Sequence, residues 1–372
     1  MTGLRIPFTG LQKQYHNLRA EILDATDEVM RSGQLMSGNY TAEFESWLAN
    51  RNRVRHAVTL HSGTSALECL AEYHRQNFVT ETPRVLVPSL TYAATANAFA
   101  RSGWDVVFAD TDHRGIIDVT RVGDAGFHAV VLVGLYGAGV SKFLELNTYQ
   151  GWINEWMPPR LLIEDAAQHW LSDGCQRIAD AALSFDPMKN LSAPGNGGAL
   201  VTDSSGLAEF AQDWRDNGKS RNHNLAGTNS RISELDAAVL MVKTRYIDQW
   251  QVRRRQIATY WIERLEQHNT IRCLIDRENM RGHALHKFVI DVDDRDVLRQ
   301  QLAQQGIETR VHYSQPLHEM GLFRQYPGPD IMSRASSLAR RVLSLPLYPE
   351  LTDLQVEYII DQVLVLASQE HN

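Results

Sequence analysis

At 372 residues, 43% hydrophobic and 22% charged, the chain is long enough for two domains with large cores and carries no compositional sign of disorder. A net charge of −7 and a pI near 6.1 argue against a dedicated binder of nucleic-acid polymers and leave a small molecule as the expected partner. Its three cysteines, Cys69, Cys175 and Cys273, have neither zinc-site spacing nor the even number of a disulfide framework, so no metal and a reducing cytoplasm are expected. Residues 129–140, the longest apolar run, are interrupted by glycines and fall short of the roughly 18 residues of a membrane span. Residues 1–7 lack the apolar core of a signal peptide, so no export is expected.

Leu11, Tyr15, Leu18, Ile22 and Val29 recur at helical spacing and predict an amphipathic helix ending before Ser32-Gly33. A second helix follows Ser37-Gly38-Asn39, with Phe44, Trp47 and Leu48 on one face. Residues 57–60 predict a short strand, broken by His61-Ser62-Gly63-Thr64-Ser65 before a helix at Ala66, with Ser65 and Glu68 at capping-box spacing. A strand, a turn of small residues and a helix start leave backbone N–H groups free for an anion. Gly63 and Thr64 are therefore candidate phosphate ligands, although an ordinary N-cap gives the same triplet. Strand 85–87 runs into Pro88-Ser89-Leu90-Thr91-Tyr92, which places the Tyr92 ring at the strand edge where α/β sheets bind ligands, unless it packs in the core.

Strands at 106–110 and 129–133 continue an alternation with helices that predicts a mostly parallel sheet covered on both faces. The apolar run 161–165 ends in Asp165, a carboxylate suited to a metal, a ribose hydroxyl or a protonated ring nitrogen, or to capping a following helix. His169 could pair with it on a metal, but no third ligand appears at helical spacing. Ala181-Ala182-Leu183 closes another buried strand, Pro187 blocks its continuation, and Gly195-Asn196-Gly197-Gly198 turns the chain back into Ala199-Leu200-Val201. Lys189 is thereby tethered on a rigid turn between buried strands. Burial there lowers its pKa from roughly 10.4 and frees the lone pair for amine chemistry, the plain alternative being a surface hairpin lysine.

Residues 213–231 read as a long polar loop whose Arg215, Lys219 and Arg221 face either an anionic substrate or solvent. Ile232, Leu235, Val239, Val242 and Tyr246 mark one long helix continued through Trp250, and Arg253-Arg254-Arg255 reads as a solvated face or linker. Beyond it, strands at 286–291 and 308–313 and helices at 296–305, 333–342 and 352–367 predict a smaller α+β domain. The expected division is a cofactor-binding domain at 1–250 and a small domain at 251–372.

Gly63-Thr64, Tyr92, Asp165 and Lys189 together describe a pyridoxal 5'-phosphate site. The lysine supplies an amine to hold the aldehyde as a Schiff base, the carboxylate favours a protonated pyridine nitrogen, the ring covers a face, and the helix start binds phosphate. Ile6-Pro7-Phe8, Ser62-Gly63-Thr64-Ser65-Ala66-Leu67, residues 88–95, Glu164-Asp165-Ala166-Ala167-Gln168, and Ser184-Phe185 with Lys189-Asn190-Leu191 occur in order along the chain. Gly195-Asn196-Gly197-Gly198, Asn229-Ser230-Arg231, Tyr313 with Pro316-Leu317-His318, and Leu345-Pro346-Leu347 follow. In these motifs, over nearly its whole length, the chain resembles the pyridoxal phosphate-dependent sugar aminotransferases of the DegT/StrS type, which have the aspartate-aminotransferase-like fold (fold type I).

The resemblance implies an α/β fold with a mostly parallel seven-stranded sheet and a smaller C-terminal α+β domain. It implies Lys189 as the Schiff-base lysine and general base, Asp165 at the pyridine nitrogen, and Gln168 at the ring hydroxyl. Gly63, Thr64 and Ser184 would bind the phosphate, and Asn229 would reach it from a neighbouring subunit, making a homodimer with shared active sites. Arg231, Tyr313 and His318 would lie near the substrate. Glutamate or a similar donor would supply the amine, and a keto group, typically on a nucleotide-linked sugar, would take it. Rival readings are a decarboxylase or other α-carbon enzyme acting on an amino acid, possibly nucleoside- or nucleotide-linked, and a non-catalytic cofactor-binding regulator. A dinucleotide site is not indicated, because Gly137-Ala138-Gly139 lacks the third glycine. Three departures stand out: Gly134 replaces a histidine common in the family, His169-Trp170-Leu171 is bulkier than usual, filling either sugar space or core, and Glu81-Thr82-Pro83-Arg84 replaces the typical Gly-Asp-Glu.

Overall fold

The computed structural model describes residues 4–78, 82–119, 122, 126–140, 161–172, 177–275, 277–326 and 332–369. Its main sheet contains β1 (His56–Leu60), β2 (Arg84–Pro88), β3 (Asp105–Ala109), β4 (Ala129–Val133), β5 (Leu161–Asp165), β6 (Asp180–Ser184) and β7 (Gly198–Thr202). They lie in the order β1-β7-β6-β5-β4-β2-β3, all parallel except β7, which is antiparallel to both neighbours. Every residue of β4 and β7 is buried, and their sequences are accordingly continuous apolar runs rather than alternating ones. Val58, Val87, Val131 and Leu200 face one helical layer, and Leu183, Ala199 and Val201 face another.

The covering helices are α1 (Leu11–Ser32), α2 (Asn39–Asn52), α3 (Gly63–Arg75), α4 (Ala93–Arg101), α5 (Ser205–Trp214), α6 (Glu234–Thr244) and α7 (Ile247–Leu265). Of the expected apolar face of α1, Leu18, Ile22 and Val29 are buried, with Ala25, against Ala238, Val239 and Val242 of α6, whereas Leu11 and Tyr15 are exposed. The start of α3 differs from the expected capping box. Ser62, with extended backbone, accepts from the Ser65 amide at 3.1 Å, and Glu68 instead pairs with Arg101 at 3.0 Å. The single helix expected from 232 to 250 is two, because the Thr244 hydroxyl turns back onto the Met241 carbonyl at 2.7 Å where the first one ends.

A second core surrounds β8 (Ile271–Cys273), β9 (Phe288–Val292) and β10 (Val342–Leu345), an antiparallel sheet in the order β10-β9-β8. The second half of α7, α8 (Arg295–Gln304) and α10 (Asp353–Gln369) cover it, while α9 (Ser333–Arg341) leads into β10. The boundary expected at residue 250 falls inside α7, whose Ile247 packs on the first core and whose Ile257 packs on the second. Ile6 also joins the second core.

Two further expectations are corrected. Arg254 is not solvated: it is buried and donates to the carbonyls of Leu285 (3.2 Å) and Leu347 (2.8 Å), which no strand satisfies. Residues 308–313 form no strand. Ile307 and Arg310 make only isolated bridges, to Ile6 and Ser344, before the chain leaves the small sheet for the edge of the large one. Among the described residues no helix is long and apolar enough to cross a membrane, and no cluster of ligands could hold a metal. Cys69 and Cys273 are free thiols; Cys175 and residues 1–3 lie outside the described residues.

Candidate active site

Because β1, β2, β5 and β6 are parallel, the residues that follow them converge on one edge of the sheet. A cavity of about 320 Å³ lies there, within the size range of small-molecule sites. Gly63, Thr64, Tyr92, Asp165, Gln168, Ser184 and Lys189 line it from the large sheet, and His286, Lys287, His312 and Tyr313 from the second core. The sequence-predicted residues are therefore together, apart from Asn229, Arg231 and His318.

The floor of the cavity is a close approach of α3 to β6. A Cβ at Gly63 would lie 2.8 Å from Ser184 Cβ and 3.1 Å from the Leu183 carbonyl, so only glycine lets the helix start sit there. The first amides of α3 have no intrahelical acceptor, and the Thr64 and Ser184 side chains flank them. This is a cradle for a phosphate, floored by a glycine whose Cβ would close it.

Asp165 ends β5 and is almost fully buried, yet it faces the cavity. Its Oδ2 accepts from Thr95 Oγ1 at 2.7 Å and its Oδ1 from the Ala167 amide at 3.2 Å, which fixes the plane of the carboxylate. Among the described residues 166–172 follow it as turns and not as a helix, so the N-cap role also expected for Asp165 is not seen there. Lys189 sits on a pinned turn. The Phe185 amide donates to Gly197 O (2.8 Å), the Ala193 amide to Phe185 O (2.7 Å), and the Lys189 amide to Asp186 O (2.8 Å). Burial of the ammonium pushes its pKa below that of an ordinary lysine, and Asp165 and Asp186 oppose the shift. A lysine so placed holds a lone pair near neutral pH more readily than a solvated one.

Gln168 Oε1 accepts from the Tyr136 amide at 2.7 Å, while Nε2 turns toward the Tyr313 hydroxyl at 3.4 Å. Burial, reinforced by Asp165, pushes the Tyr313 phenol above its ordinary value. Tyr92 is not core: 59% of it is exposed, and its ring lies 5.9 Å from that of Tyr313. Asn229 is exposed and bridges to Asp216, Arg231 pairs with Asp216 at 3.4 Å, and His318 Nδ1 bonds the Ser89 hydroxyl, all three outside the cavity lining.

Sequence reasoning did not single out Thr95, Asp186, His286, Lys287 and His312. Two basic residues opening an otherwise apolar strand at Phe288 were the available signal for His286 and Lys287. His169 and Trp170, by contrast, belong to the core. A Cβ at Gly134 would lie 2.3 Å from His169 Nδ1, so the imidazole occupies the volume that a side chain at position 134 would need. Trp170 packs edge-on against Phe185, with ring centroids 5.8 Å apart.

The donor set fits pyridoxal phosphate: Lys189 for its aldehyde, Asp165 for its pyridine nitrogen, and the glycine-floored amides with Thr64 and Ser184 for its phosphate. A scan against protein-family models matches the DegT/DnrJ/EryC1/StrS aminotransferase family over residues 16–364. The chain is 33% identical over 373 residues to the dTDP-3-amino-3,4,6-trideoxy-alpha-D-glucose transaminase of Streptomyces venezuelae, covering 96% of this chain and 95% of that one. It is 31% identical over 375 residues to a pleiotropic regulatory protein of Geobacillus stearothermophilus, covering 97% and 98%. The crystal structure of S. venezuelae DesV in complex with a ketimine intermediate superposes with a TM-score of 0.87 at 33% identity, covering 98% of both chains.

Proposed function

The chain belongs to the DegT/DnrJ/EryC1/StrS aminotransferase family, and from that premise we propose that it moves an amino group from glutamate or a similar amino acid to a keto group on a nucleotide-linked sugar. The family depends on pyridoxal phosphate, and the chain is an aminotransferase rather than a decarboxylase or a non-catalytic regulator. The sugar acceptor rests on the names of relatives such as the S. venezuelae transaminase.

The observation that carries this reading is the meeting of Lys189, Asp165 and the Gly63–Ser184 cradle around one cavity. When bound, the cofactor supplies an aldehyde that accepts an amino group and a ring that takes up the electron pair of a broken C–H bond. Lys189 Nζ is the amine to hold that aldehyde. Once displaced by the incoming amino group, it is placed to take a proton from the donor carbon and return one. The Asp165 carboxylate, held by Thr95 and the Ala167 amide, would stabilise positive charge on the cofactor's ring nitrogen. Thr64, Ser184 and the first amides of α3 bind the phosphate and so fix the ring's position. The exposure of Asn229 supports its service in a partner's site.

The purified protein is expected to be yellow, and Lys189→Ala to lose the band. L-Glutamate should convert the bound cofactor to its amino form and release 2-oxoglutarate, and keto sugars linked to dTDP or UDP should reverse the conversion. A native protein that stays unchanged with glutamate would overturn the donor assignment, and one reversed only by free 2-oxo acids would overturn the sugar acceptor.

A further inference from the structure

Lys287 is 7% exposed, and its backbone amide is fixed by the Tyr136 carbonyl at 3.0 Å where the two cores meet. Its ammonium lies 5.0 Å from the centre of the Phe8 ring and has no carboxylate within ion-pair distance among the described residues. Of the basic groups around it, Arg310 pairs with Glu308 at 2.8 Å, Arg254 with two carbonyls, and His312 Nδ1 with the Ser344 hydroxyl at 2.8 Å, while His286 and Lys189 line the same cavities beside it. A buried amine without a paired counter-ion is costly, and the Asp186 carboxylate, which favours its charge, makes no ion pair with it. Lys287 and Lys189 both line the main cavity and also a smaller one of about 30 Å³ beneath Phe8 and Gly10. Gly63, Thr64 and Ser184 do not line the smaller cavity. Lys287 therefore stands at the Lys189 end of the site and away from the phosphate cradle.

We propose that Lys287 is the carboxylate anchor for the amino donor, pairing with an acid group of the amino acid whose amine displaces Lys189. The inference rests on the reading of the donor as a glutamate-like amino acid. A donor carboxylate would supply the missing counter-ion and form a charge-assisted hydrogen bond with a buried ammonium, whereas the acceptor carries its negative charge on the nucleotide diphosphate and not on the keto sugar that must reach Lys189. Burial, together with the nearby Lys189 and Arg254, pushes the pKa of the free Lys287 amine down, so it holds its proton most firmly when that carboxylate is present.

The test compares native holoenzyme with Lys287→Met, which keeps the length of the stem. In single-turnover conversion by L-glutamate, the half-saturating concentration should rise about 10- to 100-fold with little change in the limiting rate. By calorimetry, the dissociation constant of glutarate, an unreactive diacid, should rise to a similar extent. The constant for dTDP and the absorption spectrum of the bound cofactor should not move, and Lys287→Arg should restore part of the glutarate affinity. If glutamate converts the native enzyme and Lys287→Met leaves both donor constants unchanged, the anchor role fails while the donor assignment stands. Weakened dTDP binding would assign the lysine to the nucleotide, and lost cofactor would assign it to the phosphate; either overturns the proposal. A native enzyme that glutamate does not convert sinks the donor assignment itself, and the anchor with it.

Discussion

Gly134 and His169 share one volume: the imidazole fills the space that a side chain at 134 would need, so these two departures from family pattern belong together. A methyl group at 134 would meet His169 Nδ1 and the Ala138 carbonyl, each at 2.3 Å, and neither neighbour can yield. His169 is fully buried, and its Nε2 lies 3.2 Å from Glu164, while Ala138 is held by its own amide to Leu135. Gly134→Ala is therefore expected to cost about 1–3 kcal/mol as overpacking, read as a lower midpoint in urea with unchanged slope. An unmoved midpoint would mean that the imidazole has another place to go. Asp165→Asn tests the opposite kind of residue. The amide keeps the hydrogen bond from Thr95 but carries no charge, so the cofactor should stay bound while turnover falls by about 100-fold or more, a loss comparable to removing one electrostatic contact in a transition state. Full activity in that variant would remove Asp165 from its electronic role.

At the scale of the element, β5 shows how a strand separates structural from chemical charge. Glu164 and Asp165 are adjacent, and the two-residue period sends them to opposite faces. Asp165 meets the cavity, whereas Glu164 is buried against Arg177 at 2.9 Å, His169 at 3.2 Å and the Ile178 amide at 2.7 Å. Burial works against the Glu164 charge, but Arg177 and His169 outweigh it and hold its pKa below the usual carboxylate range. A depressed folded pKa means that this stability is fully present above the unfolded value, roughly 4.3, and is lost as pH falls through the folded one. Acid unfolding of Glu164→Gln should accordingly show a shallower pH dependence in that range than the native protein. Arg177→Met, which strands the carboxylate, should cost about 3–5 kcal/mol at neutral pH. If both variants followed the native acid profile, the buried cluster would carry no part of the pH dependence. The same strand marks what a sequence discloses: its apolar run, its terminal carboxylate and its place in the alternation were legible because each depends on neighbours along the chain. The Ser62 cap and the Thr244 bond are local choices between neighbouring polar groups, whereas the loss of Glu68 to Arg101, the burial of Arg254 and the missing strand at 308–313 depend on partners far away in sequence. Lys287 escaped for the same reason, since its position matters only once the second core is folded against the first.

The whole molecule brings its site together from two cores, and the proposed role of Asn229 would add a contribution from a partner. Tyr92 lines the cavity with 59% of its surface open, and Asn229 stands exposed on the far side of the Asp216 bridge, outside the cavity of its own chain. On the role proposed for it, Asn229 would reach the phosphate of another protomer from that position, and the expected homodimer would then complete the site. Sedimentation should therefore give twice the 42.1 kDa chain mass with cofactor bound. The sharper measurement is complementation. Lys189→Ala removes the amine from a protomer's own site, and Asn229→Ala removes the phosphate contact from its partner's. Each variant alone carries a defect in every site. After mixing and exchange of subunits, a mixed dimer holds one site with both defects and one with none. Random exchange should thus restore about a quarter of native turnover; inactivity of the mixture despite demonstrated exchange would place Asn229 in its own chain's site, and an Asn229→Ala variant active by itself would place it in none.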